Sequence, residues 1–468
     1  METVTSDNNN FWAVVREAIR GSRRDFTTSP IGISLFILAV PMITEMFAES
    51  LFAIVDIFFV AHLGASAIAV VGLTESMMAL VYAVAFGVAI GATATVARRI
   101  GEKDPEGAAI SATHVIYLGV VLSLVMSMIG IALAPTILRA LGAEPDVVEL
   151  GIPFMRIMLG GNAVVVFLFI LNAIFRGAGD AAIAMRVLWV ANALNMILSP
   201  CFIFGIAFFP QLGVKGAAIG TTIGRGCGVL FAAWSLVNAE KRFQIHRVNW
   251  RLNLKRLWSI ARLSSTAVLQ FLIGTASWSA LVRVVAGFGS EAIAGYVIAM
   301  RVVIFVLLPS LGLSNAAATM VGQNLGAGKP ERSEAAVWKA AFTNTAIYLV
   351  IGLILLLGAG MIVSFFTTDP LVLAYAESAL HIVSYGFLFY GFGMVTETAF
   401  NGAGDTWTPT YLNFFIFWML EIPLAYVLAY RFDMGPQGVF WAITIAFSVL
   451  AVVGGLMFKR GKWKRVEI

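Results

Sequence analysis

The stretch PMITEMFAESLFAIVDIFFV, which begins at Pro41, sets three carboxylates into an otherwise apolar run: Glu45, Glu49 and Asp56. Spacings of four and seven residues put all three on one face of a helix. That face cannot look at lipid, because a charge at the centre of a bilayer costs at least ~2.5–3.5 kcal/mol. It should line a cleft or a water-filled cavity. Carboxylates crowded into a poorly solvated site titrate closer to neutral pH than they do in water, which makes such a cluster a usable proton carrier. A static ion pair with an in-membrane arginine such as Arg283 or Arg301 is the alternative reading. Glu75, Glu397 and Glu421 are the other mid-span acids. Asn172 and Asn195 are amides in similar surroundings, and Ser199-Pro200 follows Asn195 by one helical turn. Each amide alone reads as interhelical glue. Together with Asp56 they could line one cavity.

The elements that must position these residues are membrane helices. The chain has 468 residues, 60% hydrophobic and only 12% charged, with a mean hydropathy of +0.89. A soluble chain is nearer half apolar and a quarter charged. Apolar runs fall near 31–60, 66–97, 108–133, 150–175, 181–207 and 214–238, then 258–286, 291–320, 333–365, 372–400, 406–430 and 435–458. Each can span a bilayer, which needs ~20 residues. The reading is an all-α polytopic membrane protein. No small-residue cleavage site follows the first run, so no removable signal peptide is expected. Of the 31 Lys and Arg, 21 lie on the side of both termini and only Arg139, Lys215 and Arg431 on the other. By the positive-inside rule both termini are cytoplasmic, in the cell (inner) membrane. The net charge of +5 resides in those loops and suits lipid headgroups rather than nucleic acid. Cys201 and Cys227 sit in separate runs as small buried residues. With no zinc spacing, P-loop or HExxH, no cofactor, metal centre or catalytic set is expected.

The chain also repeats itself. RGAGD at Arg176 recurs as NGAGD at Asn401, 225 positions on. The same offset takes Gly64 to Gly289, Gly101 to Gly326 and Pro145 to Pro370, slipping only where Gly213 pairs with Gly435. Six runs per half is an even number, so the halves are parallel repeats, with substrate near the membrane midplane between or within them. The boundaries are an amphipathic cytoplasmic segment at 1–30, a first lobe at 31–238 and a cytoplasmic linker at 239–257. A second lobe at 258–458 and a basic tail at 459–468 come after it. The linker carries Lys241, Arg242, Arg247, Arg251, Lys255 and Arg256 interleaved with Trp250, Leu252, Leu254, Leu257 and Trp258, a pattern for the membrane interface. The GAGD loops read as tight turns in which Asp180 and Asp405 cap the next helix. Pro41 has no repeat counterpart, since position 266 is Thr.

With these residues assembled, the chain resembles the multidrug and toxic compound extrusion (MATE) family, nearest its DinF-like and NorM-like prokaryotic members. The resemblance rests on IVDIFFVAHLGASAIAVVGL around Asp56, on RGAGD and NGAGD, and on VGQNLGAGKPERS from Val321. It covers essentially the whole chain. It implies twelve helices in two pseudo-symmetric lobes forming a V-shaped cleft, and export of cationic or amphipathic compounds in exchange for protons or sodium. Asp56 matches the family's first-span coupling aspartate, and Asn172 and Asn195 match polar residues of the first-lobe cavity. Two features depart from the pattern of the DinF-like branch. Ser199 stands where that branch has a second aspartate, and Glu49 stands where it commonly has Gln. Position 270 is Gln where NorM-like members carry Glu.

The expected mechanism is alternating access. A proton or sodium ion at Asp56, assisted by Glu49, Asn195 and Ser199, competes with a small-molecule substrate contacted by Asp56, Asn172, Asn195, Glu45 and Glu397. A coupling sodium ion would sit near Asp56. Two lobes in one chain make a monomer sufficient, with membrane lipids as the other partner. A lipid-linked oligosaccharide flippase of the same superfamily is the rival, and it would need Arg156, Arg186, Arg225, Arg262, Arg283, Arg301 and Lys339 to converge on a pyrophosphate. An intramembrane enzyme is the other rival, and the sequence offers it no nucleophile–His set.

Overall fold

The computed structural model describes residues 11–238 and 247–468. Residues 239–246 of the linker, with Lys241 and Arg242, lie outside the described residues. Among those described, all regular structure is helical. A short amphipathic helix, α1 (Phe11–Arg20), precedes α2 (Ile31–Ala61), α3 (Ala65–Gly101) and α4 (Pro105–Ala140). The fourth span is broken at Gly161 into α5 (Pro145–Gly160) and α6 (Asn162–Ala178), and α7 (Ala181–Phe204) and α8 (Val214–Asn238) complete the first half. The second half holds α9 (Leu254–Ala286), α10 (Ser290–Gly326), α11 (Pro330–Ser364) and α12 (Pro370–Ala403). Its fifth span, Trp407–Arg431, contains α13 (Trp407–Asn413) and α14 (Ile422–Tyr426), and α15 (Pro436–Lys459) ends the bundle. Twelve helical segments are long and apolar enough to cross a membrane. The twelve-helix expectation is met.

Local chemistry sets the ends. Proline opens α4, α5, α11, α12 and α15, where its missing N–H costs nothing. Asp104 accepts from the Gly107 N–H at 2.8 Å and Asp369 from those of Leu371 and Val372, supplying side-chain caps. The two GAGD turns are conformational twins. Gly179 and Gly404 take φ of 84° and 85°, and the next amide, of Asp180 or Asp405, bonds the Phe175 or Phe400 carbonyl at 2.8 and 2.9 Å. This is a Schellman closure, for which glycine is the natural residue. Asp405 also caps the start of α13, accepting from the Thr408 N–H and hydroxyl.

The repeat persists in three dimensions. A Cβ on Gly87 would overlap Val268, and a Cβ on Gly312 would overlap Ile43, so the two contacts are related by the 225-residue offset at both ends. Gly101 rests on the Gln323 carbonyl, and its counterpart Gly326 rests on the Arg98 carbonyl. These reciprocal approaches place α2 and α3 of one half against α10 and α9 of the other.

The halves are joined on the side that carries both termini. There Gln323 donates to the Gly177 carbonyl at 2.9 Å and Thr319 to the Arg176 carbonyl at 3.3 Å. Arg98 donates to the carbonyls of Ala403 and Val466 at 3.2 and 2.9 Å. Lys329 donates to the Thr27 carbonyl at 2.9 Å, and Arg332 to those of Phe26 and Ser29. On the opposite side no hydrogen bond or close ion pair joins the halves among the described residues, although Glu75 and Arg301 attract each other across them through space. The bundle is therefore sealed at one end. The linker helps at that end, since Tyr117 donates to the Trp250 carbonyl at 2.7 Å.

Candidate functional site

The helical register of α2 does what its spacing requires, and three neighbouring helices of the first half meet its acidic face. Glu45 is buried and accepts from Arg176 of α6 at 2.6 Å and from Asn172 at 3.3 Å. Glu49, one turn on, accepts from Arg225 of α8 at 2.7 Å and from Asn192 of α7 at 3.3 Å. Arg225 is only 1% exposed, and its guanidinium lies over the Phe52 ring at 4.8 Å. The expected static partners, Arg283 and Arg301, are not the ones found. Arg176, which the sequence assigns to a loop, is helical and points into the lobe.

Asp56 stands apart from these two pairs. Its Oδ1 is buried without a hydrogen-bond partner. Through space it interacts with Glu75 of α3 and with Arg225, while Glu75 interacts in turn with Arg301 of α10. Tyr82 of α3 is in electrostatic reach of Glu49, Asp56, Glu75 and Arg225. The charges thus form a string: Arg176–Glu45, Glu49–Arg225, Asp56, Glu75, Arg301. Its last link crosses from the first half to the second.

The other sequence candidates separate. Asn195 of α7 donates to Thr221 of α8 at 2.8 Å and accepts from Ser199, one turn on in α7, at 3.4 Å. Neither makes a hydrogen bond to Asp56. Asn172 does join the cluster, through Glu45. Glu397 lies in the second half, where its Oε1 accepts from Gln270 at 2.8 Å and from Asn413 at 3.0 Å. Arg176, Asn192 and Tyr82 join the site although the sequence does not single them out as its residues, and Arg225, selected there only as an in-span cation for the rival flippase reading, proves to be the partner of Glu49. Glu421, seen in the sequence only as an acid within a run, is buried and accepts from Ser277 at 2.9 Å. It ends a wide-turned stretch, Phe414–Glu421, in which the helix relaxes to π geometry, a distortion common at functional positions.

Chemically, the first-half cluster has two carboxylates neutralised by buried guanidiniums and one, Asp56, with an open oxygen. Such a group can exchange a proton, a metal cation or an organic cation. No group of three or more His, Cys, Asp or Glu positioned to hold a metal ion is found among the described residues.

Comparison with known proteins gives a consistent picture. The MatE family model matches residues 41–201 and 267–427, one match in each half. A probable multidrug resistance protein NorM of Thermotoga maritima is 24% identical over 92% of this chain and 92% of its own. The multidrug export protein MepA of Staphylococcus aureus is 26% identical over 92% of this chain and 94% of its own. A solved outward-facing conformation of a multidrug resistance MATE family transporter superposes with a TM-score of 0.88 at 28% identity, covering 94% of this chain and 98% of that one.

Proposed function

We propose, from the premise that this chain belongs to the MatE family of membrane transporters, that it is a cation-coupled efflux antiporter working by alternating access. Its cargo is a cationic or amphipathic small molecule, and its coupling ion is a proton or sodium. The observation that carries the reading is the contrast within one helix face: Glu45 and Glu49 are each held by an arginine, whereas Asp56 keeps a buried oxygen without a partner. A single free carboxylate on that face suits exchange of one coupling ion for one monovalent cation. The likeness to multidrug exporters supports the cargo class. The bias of Lys and Arg supports cytoplasmic termini in the inner membrane, which makes the sealed face cytoplasmic and the state outward-facing.

One-for-one exchange of like charges is electroneutral, so each pH unit supplies about 1.4 kcal/mol irrespective of voltage. The flippase alternative needs a convergent basic site. Arg225 sits on Glu49, Arg186 on the Ile19 and Arg20 carbonyls, Arg156 on the Ile131 carbonyl, and Arg301 opposite Glu75. That dispersal argues against it.

The test is export of a fluorescent cationic dye from proteoliposomes under a pH gradient or a sodium gradient imposed separately, with Asp56→Asn beside wild type. Export driven by one gradient and abolished in the variant is expected. Unimpaired gradient-driven export by Asp56→Asn would sink the proposal.

A further inference from the structure

Arg225 occupies an unusual place on α2. Glu49 and Asp56 share one face of that helix, about 10.5 Å apart along its axis at 1.5 Å per residue. Phe52 lies between them, and the Arg225 guanidinium is stacked on the Phe52 ring. The side chain therefore enters midway between two carboxylates. It spends one donor, Nη2, on Glu49, while Nε and Nη1 are buried without partners. Asp56 Oδ1, within electrostatic reach of Arg225, is also buried and without a partner, and so is Asn192 Oδ1 beside Glu49; of these two acceptors only Asp56 carries charge. Unused donors and acceptors held out of water in one cluster are each costly to leave unmade.

We propose that Arg225 is a tethered cation that trades Glu49 for Asp56 during the transport cycle. The inference rests on the efflux reading above. In the present state the guanidinium is on Glu49, and Asp56 is open to the cargo. In the other state the guanidinium swings across Phe52, satisfies Asp56 and expels the cargo's positive group. Glu49 is not stranded by the move, because Asn192 stays on its other oxygen. The groups facing this pair are Glu45 on α2, Glu75 and Tyr82 on α3, and Asn192 on α7. The other cations of the string are engaged elsewhere, Arg176 on Glu45 and Arg301 with Glu75, and of the three only Arg225 interacts with Asp56 directly. Phe52 supplies a face that holds a guanidinium in transit at either end. A cargo can bias the two states only through its different affinity for them. Competition with Arg225 at Asp56 is a direct source of that difference.

The experiment compares wild type, Arg225→Lys and the double variant Glu49→Gln/Arg225→Gln in proteoliposomes with ethidium as the probe. The double variant removes both charges together, which is far milder than stranding one of them. It should bind ethidium at least as tightly as wild type and keep ethidium-for-ethidium exchange. Its gradient-driven net export should fall by about tenfold or more, within the usual range of coupling between sites. Arg225→Lys, still a tethered cation, should retain net export within a few-fold. Net export by the double variant at the wild-type rate would overturn the proposal, as would loss of ethidium binding in proportion to export. Should the double variant not fold, the structure of Glu49→Gln decides: the guanidinium is expected on Asp56, and its remaining over Phe52 without touching Asp56 refutes the exchange. Failure of wild type to move ethidium under any gradient would instead remove the efflux reading itself.

Discussion

Glu45 and Glu397 hold crossed positions in the repeat. In the first half Asn172 of α6 donates to Glu45 of α2, and in the second Gln270 of α9 donates to Glu397 of α12. Gln270 is the offset partner of Glu45, and Glu397 that of Asn172. One polar contact between equivalent helices is thus made twice with acid and amide exchanged. Only the first copy adds an arginine, since the counterpart of Arg176 is Asn401. The halves share a backbone plan and differ in how they hold charge.

That difference predicts unequal stability effects. Glu45→Gln leaves the Arg176 guanidinium buried and uncompensated, which should cost about 3–5 kcal/mol. Glu397→Gln keeps an acceptor for Gln270 and Asn413 and removes a charge that no cation balances among its hydrogen-bond partners. It should be neutral or stabilising. Thermal unfolding of both variants in detergent checks this, and equal losses would contradict it.

The sealed end should respond to single contacts. Gln323→Leu removes the donor to the Gly177 carbonyl, worth about 1 kcal/mol net. The population sealed on the termini side should fall roughly fivefold relative to the opened one. Spin-label distances between the termini-side ends of α3 and α10 would report it, and an unchanged distribution would show that Gln323 does not hold the seal.

Reciprocal packing predicts reciprocal sensitivity. Gly101→Ala and Gly326→Ala each drive a methyl into a backbone carbonyl of the other half, so each should destabilise the sealed state by about 1–3 kcal/mol. The two effects should be of similar size. Gly274→Ala is the control: a Cβ there meets nothing within 4 Å, and the change should stabilise α9 by about 0.5–1 kcal/mol. Melting temperatures of the three variants separate these cases.

The amphipathic α1 is pinned by an acid outside the membrane. Burial pushes the Glu17 carboxyl up, but hydrogen bonds from Arg24 and Ser22 and the Arg24 charge outweigh it, and the net result is below the usual range. An acid lowered in the folded state contributes stability above its unfolded value and loses it as pH falls through the folded value. The contribution is therefore complete at neutral pH and fades below about 4.5. Wild type should melt slightly above Glu17→Gln at pH 7, with the gap closing in acid. A gap that widens in acid would reverse the assignment.

Much of the architecture was legible because it is written in period and offset. A 3.6-residue period places Glu45, Glu49 and Asp56 together, and glycines at a fixed offset mark the turns of both halves. What escaped was pairing between helices. Arg225 lies 176 residues from Glu49, and its contact depends on the depth and rotation of α8, which no local pattern records. Arg176 was hidden differently: it sits one turn before a glycine turn, where a loop assignment is natural, yet α6 continues to Ala178. Asn195 and Ser199 show the converse. Their types suit a cation site, but their geometry commits them to Thr221 and to each other.

The glycine contacts between α3 and α10 also carry a mechanical consequence. Each backbone sits in a notch of the other, with a carbonyl seated where a side chain would be. Sliding one half along the other by even a residue would bring bulkier positions into those notches. Separation perpendicular to the contact meets no such obstacle. At this contact the steric fit opposes lengthwise sliding, whereas opening is opposed by the hydrogen bonds from Gln323, Thr319 and Arg98 that close the same end.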